Sequence, residues 1–305
     1  MSPPDWFQNA VSAPRTSRSI IVDGATIHFD TWSHADNRPG LLFVHGNAAH
    51  SHWWDCIAPA FADAFNVAAI DLSGTGDSEH RTEYSAVQFA REIMAVGAEL
   101  KSNGLYIVGH SFGGSMTRTA AFLYGDKLKG VVLVDSGISG NRGRREPPSE
   151  PTSGTRYYAS LDEAKRRFRL RPPQPCENDY IIDYIAGHSL KQSESGYCFK
   201  LDQTMFSRMV TGSVDLPDAI TMVKTIRCKV AFIYGEKSRF FPSEAVPMLE
   251  SLIDPELLAH IDGAHHHVFL DQPLAFIETL GRQLSIMEAR QGQDKAGAPT
   301  RSWRK

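Results

Sequence analysis

The amino-acid sequence predicts an α/β fold, with a mostly parallel central sheet flanked by helices on both faces. Strand-like apolar runs alternate with helix-like segments along most of the 305 residues. Several of these runs are apolar without alternation, which is typical of strands buried on both faces. Asp23 and Gly24 separate two further β-rich runs and form a strong hairpin signal. The sheet should therefore be mixed, with an antiparallel hairpin at its start.

The predicted core elements alternate in chain order. Strands are expected at residues 19–22, 25–32, 41–45, 67–71, 105–108, 130–135, 229–234 and 257–261. Helices are expected at residues 53–65, 86–102, 112–124, 243–252 and 274–287. This order favours parallel strands joined by helical crossovers.

One long interval, residues 137–225, breaks the alternation. It separates two core strands that a single helix would ordinarily join. It begins with a loop rich in Arg, Pro and Ser and continues with helical patterns around 161–170, 179–188, 202–210 and 215–223. We predict a helical cap here, inserted after the sixth core strand, on a core domain formed by residues 1–136 and 226–287. The cap's aromatic residues are expected mostly to pack among themselves, with a minority lining an apolar pocket.

Composition narrows the functional class. A hydrophobic content of 42% is enough for a sizeable core, and a net charge of −3 gives no basic field for nucleic acid or an anionic membrane. No apolar run reaches the ~18 residues of a transmembrane helix, and the first residues do not resemble a secretory signal. The polar tail, residues 288–305, is expected to be disordered.

The cysteines and glycines argue against bound metals and cofactors. The four cysteines show no C-x-x-C spacing and are expected to be reduced thiols in the cytoplasm, at positions Cys56, Cys176, Cys198 and Cys228. No dinucleotide-type glycine loop and no metal-ligand spacing is present, so we expect no cofactor and no metal.

The segment 109–113 reads Gly-His-Ser-Phe-Gly and lies between a strand-like run and a proline-free helical segment. Glycines beside the serine permit a strained turn that exposes the Ser111 hydroxyl. The free N–H groups at the start of a helix would stabilise a developing negative charge. Such a motif also arises by chance, but its placement between strand and helix makes chance less probable. Ser111 is therefore the predicted nucleophile.

Four motifs together resemble the α/β-hydrolase fold enzymes that carry a helical cap. They are His-Gly-Asn at 45–47, Asp-Leu-Ser-Gly-Thr-Gly-Asp-Ser at 71–78, the serine motif at 109–113, and the histidine-containing segment 263–273. They occur in the family's order, and the resemblance covers roughly residues 19–285. It implies a serine hydrolase with a histidine base and a small acyl substrate.

Three consecutive histidines compete for the role of base. Aligned with the family's histidine loop, His265 takes a position usually held by glycine, His266 falls on the base, and His267 falls on a variable residue. We therefore expect His266 to accept the proton of Ser111, which a base must remove at neutral pH. The other two should pack or reach the surface.

The acid partner departs from the family's pattern. The usual acid position, after the strand that follows the cap, holds Ser238, which cannot stabilise an imidazolium as a carboxylate does. Asp135 ends the strand after the nucleophile helix, where some members of the fold carry their acid, and we favour it. Asp135 is also expected at the carboxyl end of its strand, which is where ligands bind in open α/β sheets. Glu236, close to the lost position, and the absence of any conventional acid are the alternatives.

The oxyanion hole is expected to use two backbone N–H groups, those of Phe112 and Asn47. Gly46 would let the backbone approach the substrate, and Gly46 and His110 complete the predicted substrate-binding set. The Asn47 side chain could instead hold a substrate carbonyl or simply fix its loop. Other residues expected near the mouth of the site are His50, Trp53 and Trp54, although both tryptophans more often pack than touch a ligand.

A serine nucleophile favours acyl transfer to water over dehalogenation or epoxide opening. The leading interpretation is hydrolysis of a carboxylic ester, lactone or similar small apolar acyl compound. A carbon–carbon bond hydrolase of vinylogous diketones is the alternative, which arginines able to grip a carboxylate keep open at Arg142, Arg144, Arg145, Arg166, Arg167, Arg169 and Arg171. A non-catalytic ligand-binding protein is a third interpretation, supported only by Ser238. The oligomeric state is left open.

Overall fold

The computed structural model describes residues 2–138, 155–211 and 214–296, with side chains up to residue 290. The strands in these ranges are β1 (Thr16–Val22), β2 (Ala25–Thr31), β3 (Gly40–Val44), β4 (Asn66–Ile70), β5 (Leu105–His110), β6 (Leu128–Val134), β7 (Leu190–Ser193), β8 (Gly196–Phe199), β9 (Lys229–Gly235) and β10 (Leu258–Ile261). The helices are α1 (Asp5–Val11), α2 (Ala86–Glu99), α3 (Ser111–Tyr124), α4 (Leu161–Lys165), α5 (Asp179–His188), α6 (Ala219–Thr225), α7 (Val246–Leu252), α8 (Val268–Asp271) and α9 (Pro273–Ala296).

Eight strands form the central sheet in the order β1-β2-β4-β3-β5-β6-β9-β10. Strand β2 pairs antiparallel with both β1 and β4, and every other neighbouring pair is parallel. Every residue of β3, β4 and β5 is buried, which explains their unbroken apolar sequences. The predicted mostly parallel sheet with an initial hairpin is confirmed.

Helices cover the sheet and close the core. Helices α2 and α3 pack against each other and against β3, while α3 also contacts β5 and β6. Helix α9 packs against β6, β9 and β10. The serine hydroxyl of Ser85 caps α2 by accepting the N–H of Gln88 at 3.2 Å. These contacts fix the strand ends that carry the candidate site.

The predicted helix at 53–65 is wrong. The chain there forms two short 3₁₀ turns, Ser51–Trp54 and Ala58–Phe61. Pro59 lies at the start of the second turn and has no N–H to donate, so it interrupts a continuous α-helix. The apolar spacing of the segment serves burial instead, because Trp53 and Trp54 are both in the core.

The insertion between β6 and β9 contains α4, α5, α6 and an antiparallel hairpin of β7 and β8. The hairpin was not predicted. The helical pattern at 202–210 is also wrong, since this segment forms turns. Asp202 accepts hydrogen bonds from the Thr204 N–H at 2.8 Å and the Thr204 hydroxyl at 2.6 Å. Such side-chain contacts to local backbone compete with helix formation.

The expected disorder from Glu288 onwards is wrong for residues 288–296, because α9 continues to Ala296. Glu288 accepts the Tyr106 hydroxyl at 2.7 Å and lies 2.9 Å from the Lys129 ammonium. The rest of the tail lies outside the described residues. So do residues 141–154 and the three arginines predicted there, Arg142, Arg144 and Arg145.

Among the described helices, none combines the length and the apolar character needed to cross a bilayer. All four cysteines are free thiols, as expected.

Candidate active site

The turn between β5 and α3 presents the Ser111 side chain. Ser111 is the first residue of α3 and has a φ of +52°, in the left-handed region that costs a non-glycine residue roughly 1–3 kcal/mol. A Cβ at Gly113 would collide with the backbone carbonyl of His45, so only glycine fits there. The predicted sharp turn is thus present, and the close approach of two loops explains its second glycine.

The His266 imidazole lies between the serine and a carboxylate. Its Nδ1 is 2.7 Å from Asp135 Oδ1, and its Nε2 is 2.9 Å from the Ser111 Oγ. An ionised carboxylate can only accept, so Nδ1–H donates and Nε2 is left to accept the Ser111 hydroxyl proton. The arrangement can move a proton from the hydroxyl to the imidazole, and the carboxylate then stabilises the resulting charge.

Asp135 sits in a fully buried position immediately after β6. Its carboxylate accepts three hydrogen bonds: from His266, from the Gly235 N–H at 2.9 Å, and from the Ser238 hydroxyl at 2.7 Å. Its own N–H donates to the Ile233 carbonyl at 2.7 Å, and its φ is +43°. These three donors hold the orientation of the buried carboxylate.

Ser238 and Glu236, which both follow β9, have different surroundings. Ser238 is buried, and the Phe240 N–H donates to its Oγ at 3.2 Å, which leaves the hydroxyl proton for Asp135. The Glu236 carboxylate accepts the Gly263 N–H at 2.8 Å and is exposed. Of the two candidate acids, the structure therefore brings Asp135 and not Glu236 to His266.

The serine turn and the end of β6 are joined directly. The Ser136 hydroxyl donates to the backbone carbonyl of Ser111 at 2.8 Å. Sequence analysis did not identify the contributions of Ser136 and Ser238. The one signal for Ser238 was its place at the family's usual acid position.

His110 and His267 flank the His266 ring. His110 Nε2–H donates to the backbone carbonyl of His266 at 3.0 Å, and its side chain is 1% exposed. Burial, with the neighbouring histidines, lowers the pKa of His110 well below its usual value, and burial lowers the pKa of His267 to about 3. Both rings are neutral near pH 7, so neither repels a positive charge on His266. The predicted substrate contact of His110 differs from this placement, since the side chain supports the histidine loop from the interior.

His265 contacts an acidic side chain, and Trp53 and Trp54 pack in the core. His265 Nδ1 lies 3.2 Å from the Asp271 carboxylate. Trp54 stacks on Phe269 with ring centroids 4.2 Å apart, and Trp53 is 2% exposed. The tryptophans therefore follow the packing alternative.

The loop after β3 lies against the serine turn. A Cβ at Gly46 would come 2.7 Å from His110 Nδ1 and 3.4 Å from the Ser111 Cβ, so glycine allows this approach. His45 Nδ1 donates to the Gly46 carbonyl at 2.8 Å, which fixes the loop. The next residue, Asn47, is partly exposed, as is Phe112. The first N–H groups of a helix lack partners within it, which leaves the Phe112 N–H available.

Three histidines, His110, His266 and His267, bring ring nitrogens within 4.8 Å of one another among the described residues. Both nitrogens of His266 already have partners, Asp135 and Ser111. A metal ion would have to displace one of these partners, so the donor set does not suit a resident metal.

Comparison with protein families matches residues 39–273 to the model of the alpha/beta hydrolase fold. Among curated proteins, the chain is similar to a pimeloyl-[acyl-carrier protein] methyl ester esterase of Aeromonas hydrophila. The two are 24% identical over 79% of this chain and 94% of the relative.

Solved structures that share the fold include the following two. A thioesterase domain from the curacin biosynthetic pathway superposes with a TM-score of 0.73 and 22% identity, over 87% of this chain and 98% of that one. An E-2-(acetamidomethylene)succinate hydrolase gives a TM-score of 0.72 and 20% identity, over 89% of this chain and 100% of that one.

Proposed function

The chain belongs to the α/β-hydrolase fold family, and on that premise we propose that it is a serine hydrolase of carboxylic esters, lactones or similar small acyl compounds. The observation that carries the proposal is the continuous hydrogen-bond series from Ser111 through His266 to Asp135. A hydroxyl is a weak nucleophile until a base removes its proton, and this series supplies the base and the group that orients it.

In the proposed reaction, the Ser111 Oγ attacks the carbonyl carbon of the substrate while His266 Nε2 takes its proton. The carbonyl oxygen becomes an oxyanion, which the N–H groups of Asn47 and Phe112 stabilise. When this intermediate collapses, the imidazolium gives its proton to the leaving alcohol, and an acyl group stays on Ser111. Water then attacks the acyl-enzyme by the same steps, which releases the acid and restores the serine.

Two observations support the acyl substrate class. The relative from Aeromonas hydrophila is named as a methyl ester esterase, which favours an ester. The proposed nucleophile is a serine, which would form a covalent acyl intermediate that water can cleave. The insertion between β6 and β9 is proposed to act as the cap over the site.

Hydrolysis of p-nitrophenyl esters from acetyl to decanoyl tests the proposal. Wild type should turn over at least part of the series, and Ser111→Ala and His266→Ala should each lose about 10⁵–10⁶-fold in kcat. Ser115→Ala is the matched control, because Ser115 lies one turn further along α3 and contacts Ser136 instead of His266. It should keep most of the activity.

Two results would contradict the proposal. Turnover that survives in Ser111→Ala would exclude the acyl-enzyme. A folded wild type that cleaves a vinylogous diketone but none of the esters would favour the carbon–carbon hydrolase instead.

A further inference from the structure

A cavity of about 120 Å³ lies beside the loop that follows β3, between the core and the insertion. Its core side includes Ala48 and Ala49, and its insertion side includes Phe168 and Phe199. A single water needs about 10–15 Å³ of such space, so the cavity can take a small organic group. Its walls are partly apolar.

The charged side chains that line this cavity all carry the same sign. They are Arg167, Arg169, Arg171 and Lys200, and no Asp or Glu is among the described lining residues. The Lys200 ammonium is 2.7 Å from the Asp77 carboxylate, and the Arg169 guanidinium donates to backbone carbonyls. The guanidinium groups of Arg167 and Arg171 make no hydrogen bond or ion pair within the described ranges.

Some other arginines of the chain are paired with carboxylates. Arg15 lies 3.0 Å from the Asp55 carboxylate, and Arg81 lies 3.0 Å from that of Glu92. The neighbouring cavity that Arg166 lines also contains carboxylates, those of Asp162, Asp179 and Asp183. Among the described lining residues, the first cavity therefore differs from its neighbour in having arginines but no carboxylate.

A buried contact holds the core side and the insertion side of the cavity together. His50 is 3% exposed, and its Nε2 lies 2.8 Å from the Ser189 Oγ. Since Ser189 donates its own proton to the Ile185 carbonyl at 2.8 Å, His50 Nε2–H is the donor in this pair. Burial lowers the pKa of His50 well below its usual value, so the ring is neutral and leaves the arginines to set the charge.

The loop after β3 borders the cavity at Ala48 and approaches the candidate nucleophile at Gly46. Ala48 follows Gly46 by two residues, about 8 Å of chain at most. A Cβ at Gly46 would come 3.4 Å from the Ser111 Cβ. A substrate that reaches both places would have its reacting carbonyl at Ser111 and a second group in the cavity, joined by an alkyl chain.

We propose that this cationic cavity binds the free carboxylate of the substrate, so that the enzyme hydrolyses monoesters or related acyl derivatives of short dicarboxylic acids. The proposal rests on the proposed function. Arginine suits the role because its planar guanidinium can grip a carboxylate through two hydrogen bonds. The apolar residues around it match the methylene chain between the two carbonyl groups.

A matched pair of substrates tests the charge requirement. Mono-p-nitrophenyl adipate and p-nitrophenyl hexanoate have acyl chains of the same length and differ in the terminal carboxylate. In wild type, kcat/KM for the adipate ester should exceed that for the hexanoate ester by about tenfold, the effect of ~1.4 kcal/mol. The ratio should shrink in high salt, because both arginines are exposed.

Variants identify the responsible side chains. Arg167→Gln and Arg171→Gln should each lower the adipate-to-hexanoate ratio by about threefold, and the double variant should bring it close to one. Arg166→Gln is the control, since Arg166 lies in the same segment but lines the neighbouring cavity. A wild-type ratio at or below one, or a ratio that the double variant leaves unchanged, would overturn the proposal.

Binding to the inert Ser111→Ala variant separates this proposal from the proposed function. Isothermal titration calorimetry with monomethyl adipate and methyl hexanoate should show tighter binding of the adipate, and Arg167→Gln/Arg171→Gln should remove the difference. Equal affinities would overturn the carboxylate site even if neutral esters are hydrolysed. Loss of all ester turnover with preferential adipate binding would overturn the serine-hydrolase mechanism alone.

Discussion

The ends of β6 and β9 reach the same edge of the sheet but deliver different groups to it. The two strands are parallel neighbours, with Val134 in register with Ile233. Asp135 follows β6 and meets His266 directly at 2.7 Å. Ser238 follows β9, at the family's usual acid position, and meets Asp135 instead, at 2.7 Å. Both strand ends lie close to the imidazole of His266. A carboxylate at the end of β6 can therefore contact this ring although the usual acid position, after β9, holds a serine.

In the proposed site, the two strand ends contribute different parts of a single acid group. Asp135 supplies the negative charge, and the β9 end supplies two donors to its carboxylate, Ser238 and the N–H of Gly235. Hydrogen bonds to a buried carboxylate satisfy its oxygens and hold its orientation. Ser238, at the family's usual acid position, therefore has the role of a hydrogen-bond donor to the acid in the proposed site.

The largest effect expected within this comparison belongs to Asp135→Asn. Turnover of a p-nitrophenyl ester should fall by about 10⁴-fold, because the amide cannot stabilise an imidazolium and favours the wrong tautomer of His266. Asp262→Asn is the matched control, since its exposed carboxylate lies at the start of the histidine loop and contacts His260. A near-normal rate in Asp135→Asn would contradict the assignment of the acid.

The exchange variant Asp135→Asn/Ser238→Asp tests whether the two strand ends are equivalent. Its turnover should be about 30-fold faster than that of Asp135→Asn, which corresponds to ~2 kcal/mol of transition-state stabilisation. The reason is that the Ser238 side chain already reaches to within 2.7 Å of the oxygen that accepts from His266. Steady-state kinetics of the single and double variants gives the comparison. No recovery in a folded double variant would show that only the end of β6 can place the carboxylate.

A smaller effect is expected from Ser238→Ala. The kcat/KM should fall about fivefold, since one hydrogen bond to a charged group is lost. Ser238→Thr keeps the hydroxyl and should restore the wild-type kcat/KM. A loss of the same size in a folded Ser238→Thr variant would assign Ser238 to packing and not to its hydrogen bond.

The smallest effect is expected from Glu236→Gln. Its side chain accepts the Gly263 N–H at 2.8 Å and does not contact His266. Because Gln can accept the same hydrogen bond, kcat/KM should stay within about twofold of wild type. A loss as large as that of Asp135→Asn, measured on the same ester, would return Glu236 to the role of acid.

Sequence patterns predicted the core of the fold better than the insertion. Strands such as β3 and β4 are buried on both faces, so their sequences show continuous apolar runs that depend little on distant residues. In the insertion, local contacts decide the structure: Asp202 binds the Thr204 backbone, and residues 202–210 form turns despite a helical pattern. A single proline, Pro59, had the same effect on the predicted helix at 53–65.

The candidate site divides in the same way. Ser111 and His266 lie in short sequence motifs, and the spacing of residues within each motif was the basis for predicting them. The choice between Asp135 and Glu236 depends on contacts between residues about 100 or more positions apart, such as the Ser238 hydroxyl on Asp135, which no local pattern encodes. The burial of His110 is of the same kind, because it follows from the packing of the histidine loop over β5.

Labelling with a fluorophosphonate, followed by peptide mapping in a mass spectrometer, tests the central claim most directly. We expect one adduct per chain, on Ser111, with much slower labelling in His266→Ala and Asp135→Asn. Wild type that takes up no label while folded, or carries it on another serine such as Ser115, would contradict the assignment of Ser111 as an activated nucleophile.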